Sequence, residues 1–356
     1  RKYARPTEGR SLPNTMTTLV TGATGFVGSH VARRLVTSGE SVRALARQGS
    51  RRQGLEGVAV EWVEGDLRDE ASLDRALAGV NRVYHLAADY RLWSRHPQEI
   101  YDSNVTGTKN LLAAALRARV ERFVYTSTVA TIAVPREGAL PDETNRASVD
   151  EMIGNYKRSK LLAEQEALRA AHEGLPAVIV NPTTPVGPGD WKPTPTGRII
   201  LDFLLGRMPA YVHTGLNFVA VEDVAEGHLL VAERGKIGER YLLGGRNMTL
   251  KELLDALARI TGLAAPTRRI PHSVALMAAF ADAAYSRVTG CEPRIPIEGV
   301  RIARHKMFVN DEKARKELGY QPGAVEAALE RAVRWYVANG YVTLPKCAPV
   351  AQVSAA

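Results

Sequence analysis

A β-branched run that passes through three evenly spaced glycines into an amphipathic helix leaves a chain few options. Here "TLVTGATGFVGSHVARRL" begins at Thr18, with Gly22, Gly25 and Gly28 between the run "TTLVT" and the helical pattern of residues 26–38. Glycine is among the weakest helix formers, so three at a helix mouth need a reason other than helix stability. In a strand–turn–helix unit the first makes the tight turn and the second lets a pyrophosphate approach the backbone. The third lets helix and strand pack closely. The helix N-terminus then offers unpaired N–H groups and a partial positive charge to phosphates. The sequence therefore predicts a dinucleotide site on Gly22, Thr24, Gly25, Phe26 and Val27.

The segments behind this turn set the fold class. "SVRALA", "VAVEWVEG", "RVYHLA", "RFVYTST" and "AVIVNP" alternate with helical patterns near 70–78, 97–118 and 151–172. Such alternation needs crossover connections, hence a parallel sheet covered on both faces. The expected fold is α/β, a Rossmann-type doubly wound parallel sheet with a smaller C-terminal α/β substrate lobe. "NPTTPVGPGDWKPTPTG" reads as a long loop after Pro182. Beyond it, helices mix with isolated strands such as "RYLLGG". The expected domains are 16–182 for the dinucleotide and 183–345 for the substrate, the second partly interleaved with the first. Residues 1–15, "RKYARPTEGRSLPNT", show no hydrophobic period and precede Met16, so they read as a disordered leader or expression remnant. Residues 346–356 read as a tail.

Composition narrows the function classes. With 45% apolar and 24% charged residues the chain is an ordinary globular protein, and no run of roughly 18 apolar residues predicts a membrane span. Two distant cysteines, Cys291 and Cys347, argue against a disulfide scaffold and for a reduced, cytoplasmic setting. The eight histidines lack metal-ligand spacing, so no metal is expected. The net charge of +9 suits phosphorylated ligands; no basic stretch interleaved with aromatics points to nucleic acid.

Cofactor choice turns on the end of the second strand. An acid there suits the ribose hydroxyls of NAD(H), an arginine the 2′-phosphate of NADP(H). "VRALARQGSRRQG" places Arg47 at that point, with Arg51 and Arg52 beyond and no acid. NADP(H) is the expected preference, with NAD(H) the alternative, because a guanidinium pairs with phosphate oxygens in two places. Asp66 in "EGDL" is a candidate for the adenine amino group, or else a cap for the helix beginning near Asp69.

Two further patterns carry chemistry. In "GNYKRSKLLAEQEAL", Tyr156 and Lys160 are four apart on a helical pattern, hence on one face. A phenol titrates near ~10 and needs a nearby cation to become a usable proton relay, a role open to Lys160. Thr126, Ser127 and Thr128 fall at a strand's C-terminal end, where open α/β sheets place their ligands. A hydroxyl there is a candidate partner for a reacting oxygen.

Together "TGATGFVG", "GDL", "HLAA", "YTST", Tyr156-x-x-x-Lys160 and "NPTTPVGPG" resemble the extended short-chain dehydrogenase/reductase superfamily, over nearly the whole chain from Met16 to about Tyr341. Within it the chain is similar to the dihydroflavonol-reductase-like branch. "ADYRLWSR", "YKRSKLLAEQE" and "KPTPTGRII" resemble the bacterial hopanoid-associated sugar epimerases. The resemblance implies Tyr156 as general acid/base, Lys160 as its activator and ribose anchor, and Thr128 as the substrate-orienting hydroxyl, with Ser127 a weaker candidate. It adds Leu67 and Ala87 to the cofactor set and places Pro182 and Thr183 on the nicotinamide face. The implied activity is hydride transfer to or from a carbonyl or carbinol carbon of a sugar-like or polycyclic lipid substrate. The alternatives are a nucleotide-sugar epimerase or dehydratase and a non-catalytic cofactor sensor.

Candidate substrate contacts are Asp89, Tyr90 and Trp93, with Arg91 and Arg95 in the same loop after the fourth strand, and Lys192, Arg198 and Tyr211 beyond Pro182. Asn104, His85 and His228 read as structural. "HSVALMAAFADAAYSRVTG", residues 272–290, reads as a helix against the core or a partner chain, a homodimer included. Its other readings are a greasy substrate wall or a face resting on the inner side of the bacterial membrane.

Overall fold

The computed structural model describes residues 16–133, 140–289, 291, 293 and 295–343. The leader and tail expected over 1–15 and 346–356 lie outside these. Strand β1 (Thr17–Thr21) runs through the glycine turn into α1 (Phe26–Thr37), and β2 (Ser41–Ala46), β3 (Glu61–Glu64), α2 (Glu70–Leu77) and β4 (Arg82–His85) follow. The long helix expected over 97–118 is interrupted. Helix α3 (Gln98–Tyr101) passes through a wide π-type turn, Asp102–Thr106, before α4 (Gly107–Arg117). Next come β5 (Arg122–Thr126), α5 (Asn155–His172), β6 (Ala177–Pro182) and β7 (Thr184–Val186). Helix α5 starts at Asn155 rather than 151, because Gly154 at φ +87° breaks the helical path just before it.

The strands form one parallel sheet in the order β3-β2-β1-β4-β5-β6, and a seventh closes it beyond β6. That strand, β9 (Arg240–Leu243), follows α6 (Pro195–Leu204), β8 (Gly215–Ala220) and α7 (Val221–Arg234). The segment "RYLLGG" is thus a member of the main sheet. Its strand residues are all buried, as those of β6 are, and this suits a parallel strand covered on both faces. One face is packed by α1 and α7, with Val31, Leu35, Val224 and Val231 in its core. Helices α2, α4 and α5 cover the other around Leu73, Leu111, Phe123 and Ala167. The fold is a Rossmann-like α/β sandwich.

A three-stranded sheet, β10 (Arg246–Thr249) with β8 and β7, stands beyond the C-terminal ends of the main strands. Helices α8 (Leu250–Thr261) and α12 (Val325–Ala338) pack on it with α6 around Ile200, Phe203, Leu253 and Leu329. The remaining helices are α9 (His272–Thr289), α10 (Ile297–Ile302) and α11 (Glu312–Leu318). Among the described residues no helix is long and apolar enough to cross a membrane.

Two histidines in the core work against stability in acid. Burial, and for His85 also the Lys160 charge, depresses His85 to about 3, while burial takes His228 to about 4. Each folded value lies below the unfolded ~6.5, so under that pH the unfolded chain binds protons that the native one does not. The histidine contribution is expected to fall from about pH 6.5 toward about pH 4, by up to ~1.4 kcal/mol per pH unit for each histidine, while Asp190, raised by burial to about 6, opposes part of it below pH 6. Thermal denaturation across that window checks this, and the slope should flatten in a His85→Asn/His228→Asn variant. An equally steep slope in that variant would contradict it.

Candidate active site

The glycine turn is shaped as its spacing requires. Gly22 sits at φ +72°, and a Cβ there would come within 2.5 Å of the Ala87 nitrogen. A Cβ on Gly28 would overlap the Gly22 carbonyl oxygen, so α1 crosses β1 closer than any side chain permits. The Gly25 N–H donates to that carbonyl at 2.9 Å, and no side chain caps the first turn of α1. The N–H groups of the first turn are left for a ligand, with Thr24, Phe26 and Val27 around them. This cradle fits a dinucleotide pyrophosphate.

An open cleft of about 350 Å³ at the ends of β2 and β3 is lined by Arg47, Glu64, Asp66, Ser72 and Arg75, among others. The Arg52 guanidinium stacks 4.5 Å over the Trp62 ring. Arg47 is exposed. Asp66 does not cap α2; Asp69 does, accepting from the Ala71 N–H at 3.1 Å. The Asp66 carboxylate instead pairs with Arg68 at 2.7 Å, and that bond holds it below its usual range, with Arg47 adding to the effect. Leu67 follows it and packs close to Gly107 of α4.

The chemistry-bearing side chains meet where β5 and β6 end. Thr128 caps a short turn by accepting from the Ala130 N–H at 3.2 Å, which leaves its hydroxyl proton free to donate. Tyr156, part-buried on the first turn of α5, faces it. Burial raises the phenol above its ordinary value, and the Thr128 hydroxyl offsets part of that rise. The Ser127 hydroxyl is buried without a hydrogen-bond partner. Pro182 and Thr183 close the floor; the Thr183 hydroxyl is engaged, donating to the Leu243 carbonyl at 3.2 Å.

Lys160 follows one turn beyond Tyr156 on α5, and its hydrogen bonds go to β5. Its ammonium donates to the Tyr125 hydroxyl at 2.9 Å and the Thr126 carbonyl at 2.7 Å, and lies 4.5 Å from the Tyr125 ring centroid. At 3% exposure it is depressed by burial to about 7, with Glu164 opposing. Burial is the leading influence on both groups, raising the Tyr156 phenol and lowering the Lys160 ammonium. Behind Lys160 a polar chain runs back to the glycine turn. The Thr108 hydroxyl acts on Tyr125, His85 Nε2 is 2.9 Å from Thr108, and His85 Nδ1 is 2.7 Å from Thr21. Thr21 in turn accepts the Ala87 N–H at 3.3 Å.

A second buried cluster fixes Thr128. Glu164, one turn beyond Lys160, pairs with Arg240 of β9 at 3.1 Å, with side chains 2% and 8% exposed. Asn181 of β6 donates to Glu164 at 2.8 Å, to Thr131 at 3.0 Å and to the Thr128 carbonyl at 3.1 Å. Tyr125, Glu164, Asn181 and Arg240 are not legible in the sequence as site residues individually. The 156/160/164 spacing is the available signal for Glu164, since it puts a carboxylate on the same face.

The candidate substrate contacts divide. Tyr90 lies in the field of Asp190, Asp89 and Arg198, and burial with those acids raises its phenol. The loop after β4 thus faces the start of α6. The Asp89 carboxylate is taken by Arg91 at 2.6 Å, and Asn104 in the π-type turn clamps the Asp89 backbone to Ser159. Trp93 is part-buried in the same loop, and Lys192 is exposed. Tyr211 packs elsewhere, bridging to Arg269 beside the α8–α12 core. Among the described residues no cluster of histidine, cysteine or acid could hold a metal.

With this geometry in view, the model of the NAD-dependent epimerase/dehydratase family matches residues 18–244. The chain belongs to that family. It is 46% identical over 327 residues to a putative dihydroflavonol 4-reductase of Synechocystis, covering 91% of this chain and 95% of that one. It is 38% identical to sterol demethylase protein B of Methylococcus capsulatus, covering 92% and 100%. A crystal structure of a nucleoside-diphosphate-sugar epimerase from Pseudomonas aeruginosa superposes with a TM-score of 0.76 at 30% identity, covering 92% and 99%. The chain is accordingly an NAD(P)-dependent oxidoreductase of the extended short-chain type.

Proposed function

We propose that this oxidoreductase is an NADP(H)-dependent carbonyl reductase with Tyr156 as its general acid. The observation that carries the reading is the Tyr156–Thr128 pair at the C-terminal end of β5, beside a glycine cradle. The nicotinamide cofactor supplies the hydride when bound. Gly22, Thr24, Gly25, Phe26 and Val27 hold its pyrophosphate, Asp66, Leu67 and Ala87 border the adenosine side, and Lys160, Pro182 and Thr183 border the ribose and nicotinamide. Thr128 donates a hydrogen bond to the substrate carbonyl oxygen, and Tyr156 gives that oxygen its proton as the carbinol forms. Burial keeps the proton on Tyr156 at neutral pH, ready to be given to the carbonyl oxygen. Residues 16–182 with β9 carry the cofactor, and 183–345 complete the substrate side.

Arg47 selects the phosphorylated cofactor in this reading. Arg47→Ala is expected to weaken NADPH binding by ~10- to 100-fold, the worth of one charged pair, and to leave NADH nearly unchanged. Fluorescence titration with both cofactors checks this; tighter NADH binding by the unaltered protein would remove Arg47 from the role.

The likeness to sterol demethylase protein B favours a polycyclic lipid carbonyl, such as a hopanoid side chain bearing a sugar, reached through Tyr90, Trp93 and Arg198. Such a substrate places the enzyme on the cytoplasmic side of a membrane. NADPH oxidation against polycyclic and sugar carbonyls tests the class. The Pseudomonas epimerase supports a second reading, a nucleotide-sugar epimerase returning the hydride to the same molecule. Stoichiometric NAD⁺ on the isolated protein would decide for it.

A further inference from the structure

Helix α9 is apolar on the side that faces away from the protein. Its inward face is made of small residues, Ala275, Ala279 and Ser286. Its outward face carries Val274, Met277, Phe280, Tyr285 and Val288, between 42% and 87% exposed. At 100° per residue these five fall within one stripe of about 140°. Ala278, Ala281 and Ala284 are exposed beside them, and Arg287 is the charged residue on that side. They account for five of the eleven large exposed apolar residues described, concentrated on one helix. An exposed stripe of this kind marks an interaction surface rather than scattered chance.

The charges around the stripe say what covers it. Residues 268–306 hold seven arginines and lysines against three acids. At the N-terminal end of α9, Lys306, Arg269 and His272 stand close enough to His213 to depress its imidazole, the Lys306 charge foremost. Two of the acids are turned away from the stripe. Asp282 accepts the Ile295 N–H at 2.8 Å, and Glu298 lies against Gly154 at the head of α5. A second copy of this chain, docked face to face, would set a surface of seven basic residues and three acids against its like. An anionic lipid surface answers both the apolar stripe and the basic rim.

We infer that α9 lies in the interface of an anionic lipid bilayer, its Val274–Val288 face among the acyl chains and its basic rim among the headgroups. Helix α10 packs on α9, and a Cβ on Gly299 of α10 would come within 4.0 Å of the Leu92 side chain in the loop after β4. The docked helix therefore holds the mouth of the candidate site near the lipid. This deepens the membrane location proposed above and rests on it, but vesicle binding is read without any carbonyl substrate.

The test is sedimentation of the full chain with vesicles of phosphatidylcholine alone and of phosphatidylcholine mixed with phosphatidylglycerol. Binding to the mixed vesicles at low salt is expected, falling as salt rises. Met277→Glu/Phe280→Glu should weaken it at least ~10-fold for each apolar side chain withdrawn from the lipid. Arg268→Glu/Arg269→Glu, which leaves the stripe intact, should reduce binding to the anionic vesicles alone. NADPH affinity, titrated without vesicles, should match the unaltered protein in both variants and so report that they fold. No sedimentation at low salt would overturn the inference, as would equal binding by the unaltered protein and both variants. A concentration-dependent dimer abolished by the glutamates, without vesicle binding, would overturn it in favour of a second copy. Any of these with NADPH oxidation intact leaves the reductase reading standing.

Discussion

Replacing Tyr156 by phenylalanine is expected to slow carbonyl reduction by ~10²- to 10⁴-fold, the usual contribution of a positioned general acid. NADPH affinity should stay within a few-fold of the original, since the ring keeps its packing at the start of α5. The loss should appear in the single-turnover rate of NADPH oxidation and leave the fluorescence titration unmoved. In the unaltered protein the limb of the reductive rate that reports Tyr156 should lie well above neutral pH, apart from the step near pH 7 where Lys160 titrates. The phenol lies above its ordinary range, so its acid form persists until the medium passes ~10. A variant that retains turnover would move the proton donor to another group.

Glu164→Ala is the substitution expected to damage the fold most. It leaves the Arg240 guanidinium buried at 8% exposure without its carboxylate, and breaking such a pair costs about 3–5 kcal/mol. The denaturation midpoint should drop accordingly. Asn181 and Thr131 lose a partner in the same step, so the Thr128 carbonyl they hold is freed and turnover should fall in the protein that still folds. Glu164→Leu/Arg240→Met, which removes both charges, should regain part of the stability and little of the rate. Equal stability in the single and double variants would mean that the pair is already screened by water.

The sequence discloses local features and hides convergent ones. The glycine turn, the first six strands and the 156/160 pair follow from periodicity and spacing, which are properties of neighbours along the chain. The membership of β9 in the main sheet is different. The four residues Arg240–Leu243, three of them apolar, fit either sheet, and only their register with Ile179–Pro182 decides. Lys160 shows the same limit. Spacing puts it on the face of Tyr156, but its hydrogen bonds go to Tyr125 and Thr126 of β5. Helix α9 is legible as apolar, but not in orientation. Its small residues point inward because they let the helix approach closely.

The late arrival of β9 has a consequence for how the molecule is made. On the ribosome, β6 emerges well before the strand that will cover it, with six buried residues and an unpaired backbone edge. Such an edge is a template for pairing with other chains. The nascent protein is therefore most exposed to aggregation in the interval before α7 and β9 leave the exit tunnel. Cutting the gene after Pro182 would make that interval permanent.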